Sequence, residues 1–177
     1  TQTMPPLPGS PAIDAAVGSV EMVDQRGAPR PMDGDGNSST IADIGAAEYV
    51  SPIVTNTQDS GPGSLRTAVA NAVAIPGADI INFDPALSGQ TIALASEIAM
   101  NMTNVGDVTI DASTLPAGIT LNGGGTHRIL SVTTTGATFG SVALKGLNLT
   151  DGFTTGAYPT GYGGAIFNRV TMTLTQC

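Results

Sequence analysis

Residues 142–177 read VALKGLNLTDGFTTGAYPTGYGGAIFNRVTMTLTQC. Within them Leu147-Asn-Leu149-Thr150 returns, past a Gly/Thr/Tyr-rich loop, as Met172-Thr-Leu174-Thr175. Just upstream, Ile119-Thr-Leu121-Asn-Gly123 returns at a similar interval as Val142-Ala-Leu144-Lys-Gly146. Each unit alternates apolar and polar residues, as a half-buried strand does. Short strands at a near-constant spacing, with Gly, Asn and Asp turns between them, indicate stacked repeats. Each coil buries its inner face only against its neighbours. Leu121, Leu144, Leu147, Leu149 and Leu174 are therefore expected to point inward.

Working outward, strands are expected near Asp79–Asp84, Thr91–Ala95, Val108–Asp111, Ile119–Asn122, Ile129–Thr133, Val142–Thr150, Ala165–Phe167 and Met172–Thr175. About four coils fit. Ahead of them, Ser64 precedes a run in which Leu65, Ala68, Val69, Ala72 and Val73 share one helical face. Ile75-Pro76-Gly77 stops that helix. Residues 1–50 differ in kind: Pro and Gly are too dense for a long helix or a central strand. Ordered loops with short strands are expected there. The expected division is a loop-rich leading segment, 1–50, and a strand-stacked unit, 51–177, with a capping helix near 64–74.

Composition agrees with strands and turns. Of 177 residues 23 are Gly and 12 Pro, only 11% are charged, and 41% are hydrophobic, enough for a core. The net charge of −8 leaves no surface for neutralising phosphates, so nucleic acid is an improbable partner. No run of about 18 apolar residues is present, so no membrane span is expected. The single cysteine, Cys177, excludes an internal disulfide and is expected as a buried strand residue. The strand pattern is cut at Cys177, and Thr1 opens directly on a Pro-rich stretch; a fragment or a processed secreted chain is expected.

Gly163-Gly164-Ala165-Ile166-Phe167-Asn168 resembles the GGAI/FxxN signature of polymorphic outer membrane proteins and related bacterial surface proteins. The resemblance implies a right-handed parallel β-helix, all-β, at the cell surface or outside the cell. It also implies a non-catalytic scaffold or adhesin. Residues 54–84 resemble the opening cap of such proteins. PGSPAIDA, DQRG, RP and DIGAAEY, all between Pro8 and Tyr49, resemble the segment that closes choice-of-anchor β-helix proteins. Ala42 stands where that family often has a Cys, so the disulfide implied there is absent. A closing-type segment thus precedes an opening-type one, which points to head-to-tail self-association or to a neighbouring module of the same polypeptide.

Several groups invite chemistry. Asp33, Asp35 and Asn37 alternate with glycines as a calcium loop requires, and Asp43 or Glu48 would add a carboxylate. The twelfth loop position is Ile44, so this is no EF-hand, and a solvated acidic turn is the plain reading. His127, beside Arg128, has no partner pattern and reads as a turn residue. Parallel β-helices also host polysaccharide lyases, for which Asp107, Asp111, Lys145 and Asp151 are the candidates. Six scattered basic residues do not make a uronate groove, so no enzyme is expected; a carbohydrate-active, polysaccharide lyase-like β-helix enzyme is the alternative and a glycan-binding module the third reading. Asn122, Asn148 and Thr150 are expected in stacked polar rows, and Tyr158 and Tyr162 on the longest loop.

Overall fold

A computed structural model describes residues 3–18, 21–34, 40–75, 77–103, 106–136, 139–155 and 163–177. Its elements in order are β1 (Ile53–Val54), α1 (Leu65–Ala74), β2 (Asp79–Phe83), a 3-10 turn (Pro85–Leu87), β3 (Thr91–Ala93), β4 (Ile98–Asn101), β5 (Val108–Asp111), β6 (Ile119–Asn122), β7 (Leu130–Thr133), β8 (Val142–Lys145), β9 (Leu147–Thr150), β10 (Ile166–Asn168) and β11 (Met172–Thr175). The strands form three sheets, ordered β1-β2-β5-β8-β11, β3-β6-β9 and β4-β7-β10, and every pair within them is parallel. Among the described residues the protein is all-β with one short α-helix. Its chain visits the three sheets in turn, adding one strand to each per circuit.

The reason is the alternation. Val108, Ile110, Ile119, Leu121, Leu130, Val132, Val142 and Leu144 are at most 1% exposed, while the residues between them are half-exposed. Each circuit thus turns the same apolar side inward on all three faces. The register corrects the repeat read from the sequence. Leu147 pairs with Ile119, and Met172 with Val142. One full circuit therefore runs from Ile119 to Leu147, or from Leu130 to Ile166, and its length varies. The shorter recurrences, Leu147 to Met172 and Ile119 to Val142, join strands of different sheets.

The expected strand Val142–Thr150 is two strands. Gly146, at φ +67°, turns the chain from the five-stranded sheet into the next, and a Cβ there would lie 2.8 Å from the Ala112 backbone. Strand β4 and the two-residue β1 were not legible beforehand. The helix is as expected: Ser64 accepts from the Thr67 amide at 3.3 Å, Ile75 is the C-cap, and Leu65, Ala68, Val69 and Ala72 are buried against the first circuit.

Of the five leucines expected inside, Leu121, Leu144 and Leu147 are 0% exposed and Leu149 packs partly on the core. Leu174 departs from the expectation. It sits in register over Leu144 yet is 51% exposed, because β11 is the last strand of its sheet among the described residues. Cys177, just past that strand, is exposed rather than buried for the same reason. Leu147→Ala should therefore cost about 2 kcal/mol, the low end for a buried leucine because the nearby rim can relax. Leu174→Ala should cost well under half of that. Urea melts of the two variants check the register, and equal losses would contradict it.

The leading segment, in its described residues, has no strand or helix, only a bridge between Val23 and Pro29. The short strands expected there do not form. It continues into β1, and the Pro52 carbonyl accepts the Asn82 amide at 2.8 Å.

Candidate functional site

The leading segment is held by carboxylates. Asp24, Asp43 and Glu48 are 5%, 0% and 1% exposed. Asp24 Oδ1 accepts the amides of Arg26 (2.7 Å) and Ala28 (3.0 Å), while its Oδ2 takes Arg26 Nε (2.9 Å) and Nη2 (2.7 Å) and the Glu48 amide (3.0 Å). Burial works to raise the Asp24 carboxyl. Arg26 and the three amides outweigh it and hold the group below its ordinary value. Glu48 accepts the amides of Asp43 (3.0 Å) and Met32 (2.9 Å) and lies 3.0 Å from Arg30 Nε. Arg30 also donates to the carbonyls of Gly45 and Asp43. Loops too short of apolar residues for a core are braced by charge-assisted bonds to backbone instead.

Asp43 is part of this brace, its two oxygens accepting the amides of Asp14 and Tyr49. Of the other expected calcium ligands, Asp33 is half-buried, while Asp35 and Asn37 lie outside the described residues. Among the described residues no group of three or more His, Cys, Asp or Glu converges on a common point. Tyr158 and Tyr162 also lie outside the described residues.

The acids considered for lyase chemistry tie one circuit to the next. Lys145 Nζ donates to Asp111 Oδ2 at 3.0 Å, between residues paired across β5 and β8. Burial raises the Asp111 carboxyl, but the Ser113 hydroxyl and amide together with Lys145 bring it below the ordinary value. Asp107 takes the Ser141 amide (2.8 Å) and hydroxyl (2.9 Å), which lower its carboxyl. Asn122 Nδ2 donates to Asp151 at 2.6 Å rather than bonding within a row of Asn and Thr. His127 bridges circuits too: Nε2 stands 3.1 Å from the Leu94 carbonyl and Nδ1 2.8 Å from that of Arg128. It is a wedged turn residue, as expected.

A second charged corner joins Asp59, Arg66, Glu97 and Arg128. Arg66 pairs with Asp59 at 2.6 Å and donates to the carbonyls of Ser96 and Glu97, while Arg128 lies 3.6 Å from Glu97 and 5.5 Å from the Phe167 ring centre. Burial raises Asp59, and Arg66 with the Ala95 amide more than reverses this. These bonds pin helix α1 to the first circuit. The spacing of Asp59 and Arg66 around a turn was the available signal.

Two surfaces remain for partners. A groove of about 430 Å³ runs between the leading segment and α1, lined by Pro29, Pro31, Met32, Ser51, Thr67 and Asn71 among others. At the other end, β9, β10 and β11 are edge strands, and Leu174 and Phe153 are 51% and 46% exposed. Among the described residues no helix is long and apolar enough to cross a membrane. In comparisons with family models, curated proteins and solved structures, none matches this chain.

Proposed function

We propose that residues 51–177 are a right-handed parallel β-helix and that the chain is a non-catalytic structural or adhesive module of an extracellular or cell-surface protein. Its copies, or like modules of one polypeptide, associate head to tail. The hand follows from the rule that parallel strands of one sheet are joined by right-handed crossovers. The GGAIFN run, which forms the turn into β10 and β10 itself, supports the resemblance to surface β-helices. Asp107, Asp111, Lys145 and Asp151 are engaged in ties between circuits, which suits a scaffold better than a reaction centre.

One observation carries the association: apolar side chains are stranded at both ends. Leu174 is in register with the core and half in water. In the leading segment Met4, Leu7, Val17 and Met22 are between 76% and 101% exposed. Edge strands with free backbone groups and an apolar rim invite a partner. The leading segment of the same chain lies beside β1 and α1, so the occupant is a leading segment of another copy or a like module of one longer polypeptide. A contact of this kind is heterologous and continues as a filament.

Light scattering and negative-stain imaging test it. Mass should grow with concentration into rods, and Leu174→Lys should return single chains. Discrete particles of single-chain mass at high concentration in the parent protein would overturn the proposal.

A further inference from the structure

Asp79 opens β2 at the seam between the leading segment and the strand-stacked unit. Its amide donates to the Asp107 carbonyl at 2.8 Å, which fixes the backbone in the ladder. Its side chain is less well served: Oδ2 is sealed from solvent and has no hydrogen-bond partner among the described residues. Asp79 lines a small crevice together with Val50, Ser51 and Pro52 from the linker, Asn71 of α1 and its C-cap Ile75, and Ile81 from its own strand. None of these neighbours titrates.

The charged groups around this crevice are few. From the leading segment Arg26 faces it, with Nε and Nη2 bonded to Asp24 and Nη2 also to the Glu48 carbonyl (2.6 Å). On the neighbouring strand Asp107 turns outward to Ser141, and at the far end of β2 Asp84 caps the 3-10 turn through the Ala86 amide. An ionised oxygen in such a place loses hydration and gains no bond.

We propose that Asp79 is a proton-controlled latch: protonated, it lets the linker and α1 close over it, and ionised, it loosens residues 21–34 and 40–52 from the first circuit. Burial raises its carboxyl above the ordinary aspartate value, with Arg26 only partly opposing. For a raised acid the folded form binds the proton better. The destabilisation is therefore full at pH above the folded value, shrinks as pH falls through it, and is gone below the unfolded value. Asp24 sets the opposite limit. Its lowered carboxyl supports the segment above the unfolded value and stops doing so as pH falls through the folded one. Closure is tightest between the two. The latch acts within one chain, independently of any assembly of copies.

Asp79→Asn keeps the shape and removes the charge. Amide exchange in residues 21–34 and 40–52 should be compared between parent and variant at the same pH, which cancels the intrinsic pH dependence of exchange. At about pH 7.5 the parent should exchange several-fold faster than the variant, and the difference should shrink steadily as pH falls toward about 4. Equal rates at both values would overturn the latch. Carbon-detected titration of the Asp79 carboxyl in the parent protein gives an independent reading. A midpoint above that of an exposed aspartate is expected, and one at or below it would equally overturn the proposal.

Discussion

Replacing Gly106 by alanine should destabilise the protein by about 3–5 kcal/mol, beyond the usual range for an added methylene. Gly77, Gly106 and Gly140 stand in a column at the corner that leads into β2, β5 and β8. A Cβ on Gly106 would fall 1.8 Å from the Gly77 carbonyl oxygen, and one on Gly140 2.0 Å from that of Gly106. The obstacle in each case is backbone, held by the ladder bonds from Asp79 to Asp107 and from Val108 to Ser141 (2.8 and 2.9 Å). No rotamer change relieves it; the circuits must part. For a domain of this size the loss corresponds to a fall in Tm of roughly 6–20 °C. Gly125→Ala is the control. Its φ of +67° strains an alanine, but nothing lies within 4 Å, so the loss should be about 1 kcal/mol. The double variant of Gly106 and Gly140 should lose less than the two singles together, since one opening of the corner relieves both clashes. A loss below about 1 kcal/mol for Gly106→Ala would show that the corner yields and that the column is incidental.

That column illustrates what the sequence does and does not disclose. Strand positions are local facts, and β5, β6 and β11 fall where alternation predicts them. The helix, with its serine cap and apolar face, is local too. Which strands stack is not local. Every face of the stack demands the same inward pattern, so Leu147–Thr150 resembles Met172–Thr175 as well as it resembles Ile119–Asn122. Loop lengths decide between them, and they vary from circuit to circuit. The corner glycines Gly77, Gly106 and Gly140 fall at unequal intervals and carry no motif of their own, so only the close backbone approach reveals them. Leu174 fails for a related reason: a sequence pattern gives the direction of a side chain but not whether another strand covers it. The acids of the leading segment were visible as residues, and Asp43 was considered as a metal ligand. Their buried bonds to amides join positions far apart in the chain, such as Asp14 and Asp43, and no spacing rule anticipates those.

Glu48→Ala should release the leading segment while leaving the stacked sheets folded. Glu48 is 1% exposed, and its carboxylate serves two amides and one guanidinium at once. Alanine would leave the amides of Asp43 and Met32 without acceptors and Arg30 buried beside no acid. Removing one member of a buried pair typically costs about 3–5 kcal/mol, because the remaining charge stays desolvated. The segment has no compensating apolar core: its described residues hold no strand, and its fully buried apolar side chains are alanines, Ala28, Ala42 and Ala47. Local stability of that origin is exhausted by one such loss, and the unit opens separately from the rest. Limited proteolysis with mass analysis reads this directly. Cuts should appear throughout residues 21–50, with a resistant core starting near β1. Glu48→Gln should be intermediate, since the side-chain amide keeps one acceptor and points a donor at a neighbouring N–H. Acid should imitate the substitution, because Asp24 loses its support for the segment as pH falls through its lowered folded value. If the Glu48→Ala chain resists cleavage in residues 21–50 as the parent does, the carboxylates are not what holds the segment.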